Sequence, residues 1–282
     1  MVSTPAVAVG LVAVASYLIA TFLQARGYQA SPAAADGPGA VAGKADSRVA
    51  TLLALAALGV LAHGIANYLV IYSENALNLG LLTSTSLVSW IMLAFVLVVN
   101  TRLLVQNLLI IVLPIGTLGV VSLLATPAEA TVPVASLNDP LIWHILVSIL
   151  AYSILFMAAC QSVLLAVLEH RLKTKQTRLL KLLPPLQSME TLLFNLLWTG
   201  ILVLTAAIAT GFIFLDDMFQ QRVVHHTILA IVSWVLYAVL LAGHHLLGWR
   251  GTTAVRWTLI AFGVLVLGYF GSKFVIEILL PN

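Results

Sequence analysis

Long apolar segments alternate with short polar ones along nearly the whole chain. A helix needs about 20 apolar residues to cross the hydrocarbon core of a bilayer, and eight segments meet this requirement. They cover residues 5–24, 49–72, 81–99, 103–125, 140–168, 190–215, 223–247 and 254–280. The pattern predicts an all-α fold, a polytopic membrane helix bundle with eight transmembrane helices that form a single integral membrane domain over residues 1–282.

The composition supports this prediction and limits the possible chemistry. Hydrophobic residues make up 61% of the 282 residues and charged residues only 8%, which excludes an ordinary water-soluble domain. The single cysteine, Cys160, excludes a disulfide framework and a cysteine metal site within one chain. A net charge of +3 on such a chain gives no support for nucleic-acid binding.

The placement of basic residues predicts the orientation in the membrane. An even number of spans puts both termini on the same side, and Lys and Arg are enriched in cytoplasmic loops. With both termini outside, on the periplasmic side, only Arg222 and Lys273 of the 13 basic residues fall outside. Residues 27–48, rich in Ala, Gly and Pro, are then predicted to form a flexible cytoplasmic loop.

The histidines fall into two groups by depth, estimated from the helical rise of about 1.5 Å per residue. His63 lies in the outer half of the membrane, and His144 stands one turn into the fifth helix at the outer surface. His225 and His226 open the seventh helix on that side, where a solvated helix start is the alternative interpretation. His244 follows on the same helix about 28 Å further on, at the cytoplasmic boundary.

An ionisable side chain within a membrane helix is a candidate functional residue, because burying it is costly. Structural roles are the alternative interpretation for His63, His144, His244 and His245. His63 could form a hydrogen bond to a neighbouring helix, and His144 could simply lie at the depth of the lipid headgroups. For His244 and His245 the structural role would be interfacial anchoring next to Trp249.

Imidazoles on separate helices favour one cofactor over others. Neutral imidazole is a common axial ligand of haem iron, and helix bundles hold cofactors between facing helices. Zinc or copper usually takes three or four close ligands, which the histidine spacing does not offer. The chain contains no Ser-His-Asp arrangement, phosphate loop or HExxH motif, so we expect no enzymatic activity. Haem b is therefore the predicted cofactor.

Several longer motifs resemble the bacterial cytochrome c assembly protein superfamily of CcsA- and CcmC-like haem-handling proteins, in particular its YpjD/HemX-type branch. The motifs are "LNLGLLTSTSLVSW" at 77–90, "LIWHILVSILAYSILFMAACQSVLLAVLEHRLK" at 141–173, "LLPPLQSMETLLF" at 182–194 and "VLLAGHHLLGWRGTTAVRWTLIAFGVLVLGYFGSKFV" at 239–275. The resemblance covers most of the chain from His63 onward, and it implies a multi-pass protein of the bacterial inner membrane.

The resemblance also implies roles for individual histidines. His144 matches an external haem-ligating histidine, His244 a transmembrane histidine, and His63 an early histidine of the YpjD-type branch, so all three are predicted haem iron ligands. The tryptophan-rich external loop of CcsA and CcmC proteins is replaced here by "LDDMFQQRVVHH", which has no tryptophan. CcsA proteins also have a second external histidine after their last helix, where this chain reads "VIEILLPN", so His225 or His226 is the candidate for that external ligand.

Three functional hypotheses follow from these observations. The first is a haem-binding inner-membrane protein for haem handling or cytochrome maturation, with the lipid bilayer, haem and a membrane partner protein or cytochrome as partners. The second is a haem-free scaffold or regulator of a partner complex. The third is a small-solute or ion transporter, which intramembrane His63 favours and the lack of internal repeats disfavours.

Overall fold

The computed structural model describes residues 3–29, 38–73, 76–100, 106–127, 133–136, 141–174, 185–214 and 224–271. Eight α-helices account for most of these residues. They are α1 (Thr4–Gln29), α2 (Pro38–Ile71), α3 (Leu81–Asn100), α4 (Leu109–Leu124), α5 (Leu141–Lys173), α6 (Leu186–Phe214), α7 (Val224–Leu247) and α8 (Gly251–Val266). A 3₁₀ turn, Gln106–Leu108, precedes α4, and a π-helical turn, Leu267–Gly271, continues α8.

The helices agree with the predicted polytopic bundle. Among the described residues, seven helices are long and apolar enough to cross a membrane, and α4 is a shorter apolar helix that the 3₁₀ turn extends. Large hydrophobic side chains such as Leu61, Val98 and Ile213 stay exposed on the helix surfaces. Such exposure suits a protein whose solvent is lipid, because leucine is as apolar as the lipid chains around it.

The helix contacts divide the bundle into two groups of four. Helices α1, α2, α3 and α4 pack in a closed ring, here named the N-terminal quartet, and α5, α6, α7 and α8 form an equivalent C-terminal quartet. Helix α3 packs against α5 and joins the two. A site at the α3–α5 contact is therefore built from both halves of the chain.

Helix α2 begins earlier than predicted. The apolar pattern places its start at residue 49, within a loop over 27–48, whereas the helix begins at Pro38. Proline suits the first position of a helix, and the alanine-rich stretch that follows has high helix propensity, so backbone preference extends the helix beyond its apolar part. The apolar pattern therefore locates the apolar part of a helix but not where the helix begins.

A small antiparallel sheet closes one end of the bundle. Strand β1 (Tyr72–Ser73) follows α2, β2 (Ala76–Asn78) precedes α3, and β3 (Pro133–Ser136) lies in the connection from α4 to α5. Their order is β1-β2-β3. The sheet therefore ties the end of the N-terminal quartet to the segment that leads into α5.

At the opposite end, two carboxylates hold the start of α8. The backbone N–H of Gly251 donates to Oε1 of Glu190 at 2.9 Å, and Oγ1 of Thr252 donates to Oε2 of Glu169 at 3.0 Å. Gly251 adopts φ +53°, and a Cβ there would overlap Glu169, so glycine is needed at this position. Anions at a helix N-terminus also complement the helix dipole, so α5 and α6 fix where α8 begins.

Candidate functional site at the junction of the two quartets

A cavity of about 130 Å³ lies where the two quartets meet, near the end closed by the sheet. Helix α5 contributes half of the lining residues, α3 and Leu79 form the N-terminal side, and α7 and the π-helical turn contribute the remainder. The lining residues are Leu79, Ser84, Val88, His144, Ile145, Ser148, Ile149, Tyr152, His226 and Tyr269. Two imidazoles and several hydroxyl groups thus share a mainly apolar space.

His144 reaches this cavity from the first turn of α5. Its Nδ1 lies 2.9 Å from the carbonyl oxygen of Ala207 on α6. A carbonyl can only accept, so Nδ1 carries the proton and donates. In the neutral ring Nε2 then keeps its lone pair, and the bond to α6 sets the orientation of the imidazole. A histidine held in this way has the form that ligates metal ions in proteins.

His226 reaches the same cavity from the first turn of α7. Its Nδ1 is buried and makes no hydrogen bond to any described residue. The ring meets that of Tyr269 edge to face, with centroids 5.7 Å apart. A buried imidazole nitrogen without a partner carries a desolvation cost, and a ligand or a rearranged bond would remove that cost.

Hydroxyl groups connect the cavity wall across the quartets. Oγ of Ser84 on α3 lies 2.7 Å from the hydroxyl oxygen of Tyr269. Tyr152 donates from its hydroxyl to the carbonyl oxygen of Leu265 at 3.2 Å, and the rings of Tyr152 and Tyr269 lie 5.5 Å apart. These contacts link α3, α5 and the end of α8 around the two imidazoles.

His63 lies elsewhere, inside the N-terminal quartet, and is fully buried. Its Nε2 lies 2.9 Å from Oγ of Ser86, which itself donates to Oδ1 of Asn67 at 2.7 Å. Nε2 therefore donates, and Nδ1 accepts from the hydroxyl of Tyr17 at 3.3 Å. Both ring nitrogens of His63 are engaged, so ligation of a metal by this residue would require breaking one of these bonds.

The ring of Tyr17 reaches His63 because glycines make room for it. A Cβ at Gly59 of α2 would overlap the Tyr17 ring, and one at Gly116 of α4 would approach it to 3.3 Å. Small residues let membrane helices approach closely, which compensates for the absence of a hydrophobic driving force between them. The Tyr17–His63 pair thus packs at the centre of the N-terminal quartet.

His244 lies in the last turn of α7, about 27 Å along the helix from His226. Its Nδ1 donates to the carbonyl oxygen of Trp249 at 2.8 Å, and its ring stacks on Phe194 at 3.5 Å between centroids. The backbone N–H of Trp249 donates to the carbonyl of Gly243 at 3.2 Å. His244 therefore holds the turn between α7 and α8 in the described structure.

We expect His244→Ala to lower the free energy of unfolding by about 1–2 kcal/mol, because it removes one hydrogen bond and an aromatic stack. Thermal denaturation in detergent measures this loss. His245→Ala is the matched control, since His245 is exposed and adjacent in sequence. Equal stability of the two variants would contradict a structural role for His244.

The predicted candidates thus separate in space. His144 and His226 line one cavity, His63 lies within the N-terminal quartet, and His244 lies at the other end of the bundle. The side chain of His225 lies outside the described residues. No group of three or more His, Cys, Asp or Glu side chains that could hold a metal ion occurs within the described ranges.

Sequence reasoning missed the residues that orient these imidazoles. Ala207 acts through its backbone, so its residue type carries no signal. Ser84 and Tyr269 are 185 positions apart, and only the packing of α3 against the end of α8 brings them together. The glycines on both sides of "YF" in the motif at 268–271 were the one available indication of an irregular helix there.

Comparison with known proteins finds a family model and relatives that match this chain. Residues 51–280 match the family model described as cytochrome C assembly protein. Inner membrane protein YpjD of Escherichia coli (strain K12) is 31% identical over 206 residues, which cover 73% of this chain and 78% of that protein. An uncharacterized 28.8 kDa protein of Azospirillum brasilense is 38% identical over 170 residues, or 58% of this chain and 62% of that protein. No solved structure matches the chain.

The matched segment contains His63, His144, His226 and His244 and both quartets apart from α1 and the start of α2. The apolar helices and the inner-membrane relative together identify a multi-pass protein of the bacterial inner membrane. This confirms the predicted localisation and the predicted superfamily, including its YpjD-type branch. The chain belongs to the cytochrome c assembly protein family.

Proposed function

We propose that this protein binds haem b in the cavity between the two quartets, with His144 and His226 as the iron ligands, and that it takes part in haem handling during cytochrome maturation. The observation that carries the proposal is the presence of two imidazoles, from α5 and α7, on the wall of one cavity. Membership of the cytochrome c assembly family supports a haem-handling role in general.

The donor set suits haem iron. The Ala207 carbonyl holds Nδ1 of His144 as a donor, which leaves Nε2 available, and the buried Nδ1 of His226 makes no hydrogen bond to a described residue. Leu79, Val88 and Ile149 supply an apolar lining for a porphyrin plate. Haem supplies a redox-active iron when bound; the residues of the chain hold it, orient it and exclude water from it.

The size of the cavity sets a condition on binding. Sites for ligands of drug size measure roughly 300–1,000 Å³, whereas this cavity measures about 130 Å³. Haem binding therefore requires the cavity to widen, or the macrocycle to extend beyond it. Because α3 and α5 come from different quartets, separation of the two quartets is the movement that would widen the cavity with least change inside either one.

The hydrogen bonds of the other histidines support the alternative function, a haem-free scaffold. The described hydrogen bonds already engage both ring nitrogens of His63, and the Nδ1 bond of His244 supports the turn between α7 and α8. In this second candidate function the bundle stabilises a partner complex, and the cavity is a packing defect at the junction of the quartets.

Titration of the purified protein with haem separates the two functions. We expect a Soret band that saturates at one haem per chain, and the same stoichiometry for His245→Ala, whose exposed imidazole lies at the other end of the bundle. A protein that stays colourless with excess haem in detergent and in lipid nanodiscs would refute haem binding and leave the scaffold. Loss of haem in His245→Ala would place the haem site at the opposite end of the bundle, near the turn between α7 and α8.

A further inference from the structure

The two quartets have the same internal arrangement. In each, the first helix packs against the second and the fourth, and the third helix packs against the same two. Because each quartet has four helices, corresponding helices also cross the membrane in the same direction. Helices α1, α2, α3 and α4 thus correspond in position to α5, α6, α7 and α8.

The third helices of the two quartets also match in sequence. Trp90 of α3 and Trp234 of α7 are 144 positions apart, and the same shift aligns the residues around them. Aligned in this way, "TSTSLVSWIMLAFVL" at 83–97 and "TILAIVSWVLYAVLL" at 227–241 have six residues in common. The expected lack of internal repeats is therefore wrong for these two helices.

The tryptophan makes the same contact in both quartets. The indole N–H of Trp90 donates to the carbonyl oxygen of Val60 on α2 at 2.8 Å. That of Trp234 donates to Oγ1 of Thr205 on α6, also at 2.8 Å. In each quartet, the third helix is thus joined to the second through its indole group.

The serine before each tryptophan faces the fourth helix. A Cβ at Gly119 of α4 would overlap Oγ of Ser89. Oγ of Ser233 donates to the carbonyl oxygen of Ala261 on α8 at 2.8 Å. The third helices therefore have the same rotation within their quartets, and their residues 144 positions apart lie on corresponding faces.

One face differs between these two helices. On α3, Ser84 and Val88 lie at the junction with α5 and are 0% and 7% exposed. Oγ of Ser153 on α5 donates to the Val88 carbonyl oxygen at 3.3 Å. The corresponding residues of α7, Ile228 and Val232, are 48% and 42% exposed. In the described part of the chain, α7 therefore leaves open the face that α5 covers on α3.

We propose that this face of α7 binds α1 of a second copy of this chain, as α3 binds α5 within one copy. The α3–α5 contact shows how the third helix of one quartet accepts the first helix of another. The first helix of a second copy is α1, whose exposed apolar stripe comprises Leu11, Val12, Leu18, Ile19 and Phe22. At about 100° per residue, these five side chains lie on one side of the helix.

The two surfaces suit packing in a bilayer. The exposed β-branched residues of this face recur every three or four positions along α7 and form one stripe: Ile228, Val232, Val235 and Val239. Membrane helices associate through van der Waals packing, and β-branched side chains have few rotamers to lose when they pack. Helix α7 of one copy meets α1 of the next, so the contact is heterologous and repeats into a closed ring or a chain of copies.

Disulfide cross-linking in native membranes tests this contact. Successive helices alternate in direction and α2 ends at the sheet, so α1 and α7 both begin at the sheet end of the bundle. Val12 and Val232 each lie about 12 Å from the start of their helices, which places them at matching depth. Ile19 and Val239, each about 22 Å from the start, form a second matched pair. The native Cys160 is buried, which keeps it out of the reaction.

Two full-length chains with tags of different size are produced together, one with Val12→Cys and the other with Val232→Cys. We expect oxidation to give a mixed dimer, and likewise for Ile19→Cys with Val239→Cys. Pairing Val12→Cys with Val239→Cys is the register control, because a depth difference of about 10 Å exceeds the roughly 7 Å that a disulfide allows between Cα atoms. Leu202→Cys on α6, where Leu202 is 64% exposed, controls for random collisions in lipid when it is paired with Val12→Cys.

In both controls the mixed dimer should fall to background. All substituted side chains are exposed, so the cysteines leave the core of the bundle unchanged. Matched pairs that give no more mixed dimer than the controls would mean that lipid alone covers this face of α7, and would overturn the proposal. Dimers formed only between two Val232→Cys chains would assign α7 to a symmetric contact and overturn it as well. None of these substitutions lies at the junction of the quartets, so the outcome is independent of haem binding.

Discussion

Protein carrying His144→Ala is expected to lose its haem absorption almost completely. Of the two imidazoles on the cavity wall, His144 is held in a ligating tautomer by a hydrogen bond from Nδ1 to the Ala207 carbonyl at 2.9 Å. In the proposed haem site, its removal would leave only His226, whose buried Nδ1 makes no hydrogen bond to a described residue. The measurement is the Soret absorbance per chain after purification with ample haem supply.

Added imidazole separates loss of a ligand from loss of the fold. A free imidazole of the right size can enter the space left by the alanine, so it should restore the Soret band of His144→Ala. His226→Ala should keep more haem than His144→Ala does and show a five-coordinate spectrum, since the better-held ligand remains. Full haem content in His144→Ala without added imidazole would exclude this residue as a ligand.

His63→Ala is expected to destabilise the protein strongly without removing the haem site. The substitution leaves the Tyr17 hydroxyl without its acceptor, removes the donor to Ser86 and opens a void at the centre of the N-terminal quartet. Lost packing and unsatisfied buried groups together cost about 3 kcal/mol. Thermal denaturation in detergent, combined with haem content per folded chain, measures both effects.

Tyr17→Phe is the graded control for His63. It removes only the 3.3 Å bond to Nδ1 and keeps the ring between its glycine neighbours, so its cost should be about 1 kcal/mol or less. If His63 is a haem ligand, as predicted from the sequence, His63→Ala should instead lose its haem. A folded His63→Ala protein that lacks haem would support that prediction and contradict the site at the quartet junction.

The helices themselves were largely predictable, because burial in lipid requires long apolar segments. Every predicted span overlaps a described helix. The main difference is the early start of α2 at Pro38, which helix propensity explains and apolarity does not. The sheet was not predictable, since strands as short as Tyr72–Ser73 leave no period-2 pattern to detect. The predicted orientation of the termini stays a prediction.

For the candidate site, the sequence predicted the depth of each histidine in the membrane but not which helices surround it. The helical rise placed His63, His144 and His226 toward the same face of the membrane. The structure then separates His63, in the N-terminal quartet, from the other two at the junction. Helix neighbours depend on side-chain packing over the whole bundle, as between Gly116 and Tyr17, and periodicity within one helix contains no information about them.

His244, predicted to lie at the cytoplasmic boundary, illustrates the same limit. The position of His244 at the end of an apolar helix suited either a haem ligand or an interfacial anchor. Its bond to the Trp249 carbonyl and its stack on Phe194 now give it a structural task within the described turn. A separate role of His244 as a haem ligand stays a prediction, which haem content of the His244→Ala protein tests alongside its stability.

The most direct test is the electron paramagnetic resonance spectrum of the ferric, haem-loaded protein and of its single histidine variants. Coordination of one iron by His144 and His226 predicts a low-spin signal in the parent that disappears in His144→Ala and in His226→Ala, and persists in His63→Ala and His244→Ala. A low-spin signal that survives both cavity substitutions, or disappears with His63 or His244 instead, would contradict a haem site at the junction of the quartets.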